Sequence, residues 1–379
     1  MSKRVIIVGG GVGGTIIANL LAKKMRPEIR KGELIIDVIS DKAEHFYQPG
    51  LLYMLFGLKQ YEELVRDERG LLDPMVELHL NPAVGINKDK NEVSLKNGVV
   101  MKYDILVIAT GSKPAPEMIP GLKEGGHWFY ELDACLKLRN ELMNFKGGKI
   151  VLTIGMPHKC PVAPLEVTYM LDDWFRQRGI RDKVDYTYTY PIAKLHGIDS
   201  VAQFASKTFP KRGIKSEIFF NMKEVDPNKK TVTSIEGTTL KYDLLISVPP
   251  HKGAGVIEDS GLGQGGFIPT DKFTLKMKDS KNIYVVGDTT NLPISKAGST
   301  AHFESDVIVE NIASELRDGL TPFRYDGKVF CFIETGLTKA TYVMFNYETP
   351  PNPVAPSALI HWLKLTYNKV YWLTPMGIL

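Results

Sequence analysis

Cysteine is scarce in this chain. Only Cys135, Cys160 and Cys331 occur among 379 residues, and an odd, low count excludes a secreted scaffold stapled by disulfides. Long apolar runs are missing too: no stretch reaches the about 18 residues that a membrane-spanning helix requires. The apolar opening, residues 5–22, is split by glycines at fixed spacing and has no small-residue cleavage site after it. It therefore reads as strand, turn and helix rather than as a signal peptide. Nor is charge of one sign in excess. The net +4 is small, and no basic run carries interleaved aromatics, which argues against nucleic acid and lends only slight support to an anionic lipid surface. These absences leave a globular chain, 44% apolar and 24% charged, long enough for two cores. It is expected on the cytoplasmic side, with neither a signal peptide nor a transmembrane helix.

What is present is an alternation of short β-rich runs with helical patterns, the mark of an α/β fold. Residues 5–8 form a continuous apolar run typical of a central parallel strand, and 15–24 follow as a helix. Residues 34–39 and 103–109 (YDILVIA) read as further strands of that unit. A second unit opens at 149–154 and continues with 185–190, 217–220 and 242–248 (YDLLISV), the last an echo of YDILVIA. Residues 282–286 return as a late strand, with a helix over about 299–317. The expected division is 1–112 with 281–325 as one unit, 113–280 inserted, and 326–379 as a C-terminal region.

Gly9, Gly11 and Gly14 have G-x-G-x-x-G spacing between the first strand and its helix. That pattern supplies a tight turn, close backbone approach to a pyrophosphate, and a helix N-terminus aimed at its charge. The acid that would reach a ribose belongs at the end of the second strand, where Ser40 and Asp41 are the two candidates. Ala109-Thr110-Gly111 ends another strand, and Gly287-Asp288 follows a third. An acid placed there reaches a ribityl hydroxyl. Lys296-Ala297-Gly298 opens the next helix toward an isoalloxazine carbonyl. At these spacings the three motifs resemble the pyridine-nucleotide-disulfide-oxidoreductase superfamily. The resemblance implies two Rossmann-like domains of the FAD/NAD(P)-binding type, with FAD held by residues near both ends of the chain.

Members of that superfamily usually carry a second glycine loop for NAD(P)H. Here the corresponding strand runs into Gly155-Met-Pro-His-Lys-Cys160-Pro-Val-Ala-Pro. Only one glycine remains, and prolines at 157, 161 and 164 remove N–H donors. A cysteine stands where a nicotinamide would lie. His158, Lys159 and the helix expected over 165–178 are positioned to lower its thiol pKa. The other candidate is Cys331, in YDGKVFC at the start of the tail. Cys135, inside a helical pattern over 132–143, reads as structural.

GMPHKCPVAP, YDGKVFC, HFYQPG (45–50) and GDTTNLPISKAG (287–298) resemble sulfide:quinone oxidoreductases, in the branch that includes the mitochondrial enzyme. The resemblance runs from Met1 to about Thr374. It implies a redox pair of Cys160 and Cys331, FAD glycines at 9, 11 and 14, and an FAD acid at Asp288. It further implies that sulfide attacks a disulfide or sulfur-bridged pair, with Cys331 next to the flavin and Cys160 carrying the persulfide. His196 sits where some relatives carry a histidine and is the expected acid–base helper. The branch's partners would be sulfide, a membrane quinone and a small thiol or sulfite as sulfur acceptor; a homo-oligomer is compatible, and no metal is called for. One departure is the lack of a further cysteine in the linker before the second unit.

Residues 358–373 (ALIHWLKLTYNKVYWL) place His361, Lys364 and Asn368 on a narrow polar stripe, with apolar and aromatic residues around it. That is the pattern of a helix lying in one leaflet as a C-terminal membrane-associating segment. Phe46, Tyr47 and Phe330 are candidate quinone-stacking residues. Rival readings are a type II NADH:quinone oxidoreductase, a sulfide dehydrogenase flavoprotein subunit, and a non-catalytic flavin-binding redox regulator.

Overall fold

The computed structural model describes residues 2–317, 319 and 323–379. The chain opens with β1 (Lys3–Val8), α1 (Val12–Lys24) and β2 (Leu34–Ser40), then adds β3 (Glu77–Leu80), β4 (Ile105–Ile108) and β5 (Ser112–Pro114). After α2 (Leu132–Asn144) come β6 (Gly148–Ile154), α3 (Ala163–Gln177), β7 (Val184–Tyr190), β8 (Ile214–Ile218), β9 (Leu244–Val248) and β10 (His251–Gly253). The return is β11 (Ile283–Val285) and α4 (Gly298–Leu316). The tail is the hairpin β12 (Val329–Glu334) and β13 (Ala340–Phe345), followed by α5 (Ala358–Val370).

The first sheet has five parallel strands in the order β11-β4-β1-β2-β3. Its central strand is apolar at every position because it is covered on both sides. Val5 and Ile7 face α1 and α4, whereas Ile6 and Val8 pack with Leu106, Ile257 and Ile268. Successive side chains of a strand point to opposite faces, so one continuous run feeds two cores. The second sheet has four parallel strands, β8-β7-β6-β9. The short pair β5–β10 lies between the two sheets.

Several differences from the sequence reading are structural. Residues 83–102 and 222–241 form small three-stranded antiparallel sheets, which short, turn-rich, partly polar runs do not announce. Ile257, Leu262, Ile268 and Met277 pack on the first sheet, so the chain re-enters that unit soon after β10 rather than at 281. The tail is not a separate body. Val329, Cys331 and Ile333 of β12 and Tyr371 beyond α5 share one buried cluster with Ile150, Leu152 and Ile154 of β6 and with Tyr47 and Leu51–Leu55.

Candidate active site

A slot opens at the C-terminal end of the first sheet. Gly9 has φ +117, and a Cβ there would stand 2.3 Å from Ala109 O; one on Gly14 would stand 1.9 Å from Gly9 O. Both glycines let backbone pass against backbone. By contrast, Gly11, Gly111 and Gly298 have no atom within 4 Å of a Cβ position. The first turns of α1 and α4 carry no side-chain cap, so their N–H groups are free toward that space. A slot with uncapped helix starts at two of its walls fits a dinucleotide.

Thr289 fastens the motifs together: its hydroxyl accepts from Gly111 N–H (2.8 Å) and lies 3.3 Å from Thr110 Oγ1. Asp288 accepts from Ser112 Oγ at 3.0 Å. Gly287 N–H donates to the buried Glu304 at 2.5 Å. Lys296 is turned inward and donates to Asp288 O (3.0 Å) and Thr290 O, so it braces the loop, while Ala297 caps α4 and Gly298 begins it. Of the two candidates after β2, Ser40 lies against Gly10, its Oγ 2.9 Å from a Cβ built there. Asp41, the next residue, is exposed.

Cys160 stands on the loop between β6 and α3 in a left-handed conformation, φ +46, which costs a non-glycine residue about 1 kcal/mol or more. Neighbours hold it there. Its N–H donates to Lys296 O (2.7 Å), and its carbonyl accepts from Ala163 N–H (3.1 Å) and Tyr130 OH (3.2 Å). His196 acts on the next residue. Its Nδ1 accepts from Ile198 N–H (3.0 Å), which puts the proton on Nε2, and Nε2–H donates to Pro161 O (3.1 Å). Burial lowers its pKa to about 4. With both nitrogens engaged by backbone, His196 positions the cysteine loop, a correction to the expected acid–base role.

A second correction concerns the thiol. Lys159 donates to Ser112 O (2.8 Å) and faces Asp288 at 3.7 Å, while burial keeps His158 neutral. Neither serves Cys160. Burial, then the Glu166 carboxylate, then Cys331 push the Cys160 thiol well above its ordinary value, and the Ala163 N–H opposes them only in part. Cys331 is pushed up to about 11 by burial and then Glu166. Lys364 opposes both shifts. The two sulfurs thus meet in one core cluster and feel one another and one set of charges, and both are free thiols. Cys135 is elsewhere in the core, 3.5 Å from Leu51 O, its thiol raised to about 12 by burial.

Sequence reasoning missed the charges behind the pair. Lys364 forms a buried ion pair with Glu166 and lies 3.9 Å from Glu334. Glu334 accepts from Tyr53 OH (2.6 Å) and pairs with His361 Nδ1 (2.9 Å), and its N–H donates to Glu166 (2.8 Å). His251 was missed as well. Its Nδ1–H donates to Pro249 O (2.9 Å) and its N–H to Pro157 O (2.6 Å), which leaves a buried, unpartnered Nε2 beside the cysteine loop. No signal short of the fold could have marked these residues.

The polar stripe of α5 therefore faces inward, with Lys364 and Asn368 buried. Leu359, Trp362 and Leu363 point out, 69%, 65% and 52% exposed. Among the described residues no helix is long and apolar enough to cross a membrane. Tyr47 packs on Tyr371 with ring centroids 4.0 Å apart and donates to Asn368 Oδ1 at 2.5 Å, and Phe46 borders the same cluster. Phe330 does not join them. It lies on the face of β12 opposite Cys331 and stacks on Tyr342, as a period of two requires.

The family description of the pyridine nucleotide-disulphide oxidoreductases matches residues 3–305. The mitochondrial sulfide:quinone oxidoreductase of Dictyostelium discoideum is 30% identical over 359 residues, 91% of this chain and 78% of that protein. Its Mus musculus counterpart is 26% identical over 365 residues, 93% and 80% of the two chains. The X-ray structure of the Aquifex aeolicus sulfide:quinone oxidoreductase superposes with a TM-score of 0.88, covering 99% of this chain and 92% of that one at 22% identity, a likeness of fold. By descent and by fold, the chain belongs to the sulfide:quinone oxidoreductase family of the pyridine nucleotide-disulphide oxidoreductases.

Proposed function

We propose that the protein oxidises sulfide at the Cys160–Cys331 pair and delivers the electrons through FAD to a membrane quinone. The observation that carries the residue assignment is two free thiols in one core cluster, Cys331 within it and Cys160 packed against it, where a nicotinamide loop would otherwise stand. In the oxidised pair the two sulfurs are bonded. Hydrosulfide adds to Cys160 Sγ, the S–S bond breaks, and its electron pair leaves on Cys331. The new sulfur stays on Cys160 as a persulfide until a small thiol or sulfite removes it. Once that sulfur has left, Cys160 closes again on Cys331 Sγ, and the two electrons released as the S–S bond re-forms would pass to a bound FAD and from it to the quinone. Gly9, Gly11, Gly14, Ser40 and the 109–111 and 287–288 segments would hold the FAD, and His196 keeps the Cys160 loop in place. An NADH reading finds little support, because the open side of Gly155 is filled by Pro250, 2.5 Å from a Cβ position.

Anaerobic mixing tests the reading. Sulfide is expected to bleach the flavin within the mixing experiment, and decylubiquinone to restore it, whereas NADH leaves it yellow. Bleaching by NADH alone would overturn the proposal in favour of an NADH:quinone oxidoreductase. Bleaching by neither would leave a redox regulator.

The outward face of α5 is the proposed membrane contact, and Tyr47 and Phe46 beside it the quinone wall. A peripheral attachment fits an apolar face on a helix too short to span. The cytoplasmic side expected for this chain is set aside, since the relatives' names place them in the mitochondrion. Trp362→Glu with Leu363→Glu is expected to cut the liposome-bound fraction at least ~10-fold in flotation, because each buried side chain of this size contributes roughly 1.5–3 kcal/mol. Unchanged flotation would move the contact elsewhere.

A further inference from the structure

The segment that enters α4 runs between the two cysteines. Lys296 O holds the Cys160 N–H at 2.7 Å, and Ala297 packs into the cluster that contains Cys331. Three hydroxyls lie on this stretch. Thr300 Oγ1 is used up, donating to Ser295 O at 2.7 Å. The hydroxyls of Ser295 and Ser299 are buried and have no hydrogen-bond partner while Cys331 is a thiol. A buried hydroxyl without a partner is costly, and two that flank the start of α4, Ser295 on the loop before it and Ser299 in its first turn, both near the Cys331 sulfur, need a reason.

We propose that Ser295 and Ser299 form a two-donor cradle for the Cys331 thiolate, which makes them catalytic residues for the step that leaves negative charge on that sulfur. The inference rests on the sulfide reading above for the identity of that step. Each O–H turns toward Sγ when the S–S bond breaks and the electron pair settles on Cys331. No other atom changes partner. The uncapped first turn of α4 adds its dipole in the same sense. The chemistry answers a specific need. Burial and Glu166 raise Cys331 to about 11, and the two hydroxyls and Lys364 are the groups that work against them. A thiol at that value is a poor leaving group, so donors that engage only the charged form lower the barrier selectively.

The test reads thiol ionisation and does not depend on sulfide turnover. The FAD-loaded protein is reduced, and the pH dependence of Cys331 alkylation by iodoacetamide is followed by peptide mass spectrometry, normalised to alkylation of the same peptide after unfolding. Ser295→Ala/Ser299→Ala is expected to raise the Cys331 midpoint by about one pH unit or more. Ser295→Thr/Ser299→Thr should restore it. If the alanine variant fails to fold, the single Ser295→Ala and Ser299→Ala proteins carry the same test with smaller shifts in the same direction. An unmoved midpoint would overturn the cradle. So would loss of FAD with the midpoint unmoved, which would give the hydroxyls to the flavin. Failure of sulfide to bleach wild-type flavin would instead remove the sulfide reading while leaving this measurement interpretable.

Discussion

Alanine at Cys331 is expected to abolish sulfide-dependent quinone reduction, with turnover falling at least ~10^3-fold, since removal of a nucleophile or its partner sulfur commonly costs that much or more. Alanine at Cys160 should cost as much by a different route. With Cys160 gone there is no site for the persulfide, yet Cys331 remains beside the segment that opens α4. The Cys160→Ala protein should therefore keep a pH-dependent perturbation of the oxidised flavin spectrum that Cys331→Ala lacks. The comparison assigns the two roles in one titration. Cys135→Ala should turn over normally, because its thiol lies on Leu51 O and outside the shared charges. Equal spectra in the two active-site variants would reverse or erase the assignment.

The second large effect is on stability. Lys364→Met is expected to destabilise the FAD-loaded protein by about 3–5 kcal/mol near neutral pH, the cost of leaving a buried charge without its partner. Glu166 is already raised by burial, with Lys364 pulling against it. Removing the lysine raises it further. A carboxyl whose folded pKa exceeds its unfolded value favours folding fully below the unfolded value and loses that contribution as pH rises through the folded one. The deficit of Lys364→Met should therefore be smallest in acid and grow with pH. Glu166→Gln/Lys364→Met should recover most of the loss, since the charge and its partner leave together. Urea unfolding at several pH values decides it. A deficit independent of pH would mean that lost packing of the lysine stem, rather than the uncompensated carboxylate, sets the cost.

The covered strands of both sheets were legible because a strand covered on two faces must be apolar at every position, and 5–8, 149–154 and 242–248 are nearly so, whereas two edge strands, Glu77–Leu80 unread and Ile214–Ile218 read three residues late at 217, carry polar positions. The glycine turn was legible because its steric demand falls on residues close in sequence. Cys160 was legible through what it replaced. The rest depends on contacts between distant positions. Glu166, Glu334 and Lys364 look like ordinary surface charges until α5 folds back over β12. The polar stripe of α5 is the same whether it faces protein or solvent; only the two carboxylates opposite it decide the direction. Lys159 beside Cys160 suggested a lowered thiol pKa, but its ammonium is already committed to Ser112 and Asp288, and a neighbour in sequence is not a neighbour in charge.

The inward stripe of α5 also bears on how a water-soluble form of this protein could be engineered. Deleting the C-terminal helix is the obvious shortcut, but it would strip Glu166 and Glu334 of Lys364 and His361 and open the cluster that holds Cys331. The helix is counter-ion and lid as well as the proposed membrane contact. Solubility would have to come from repainting Leu359, Trp362, Leu363 and Tyr367 with polar side chains and keeping the backbone. A protein altered in that way would retain its sulfur chemistry in solution and serve as the reference against which the contribution of the bilayer is measured.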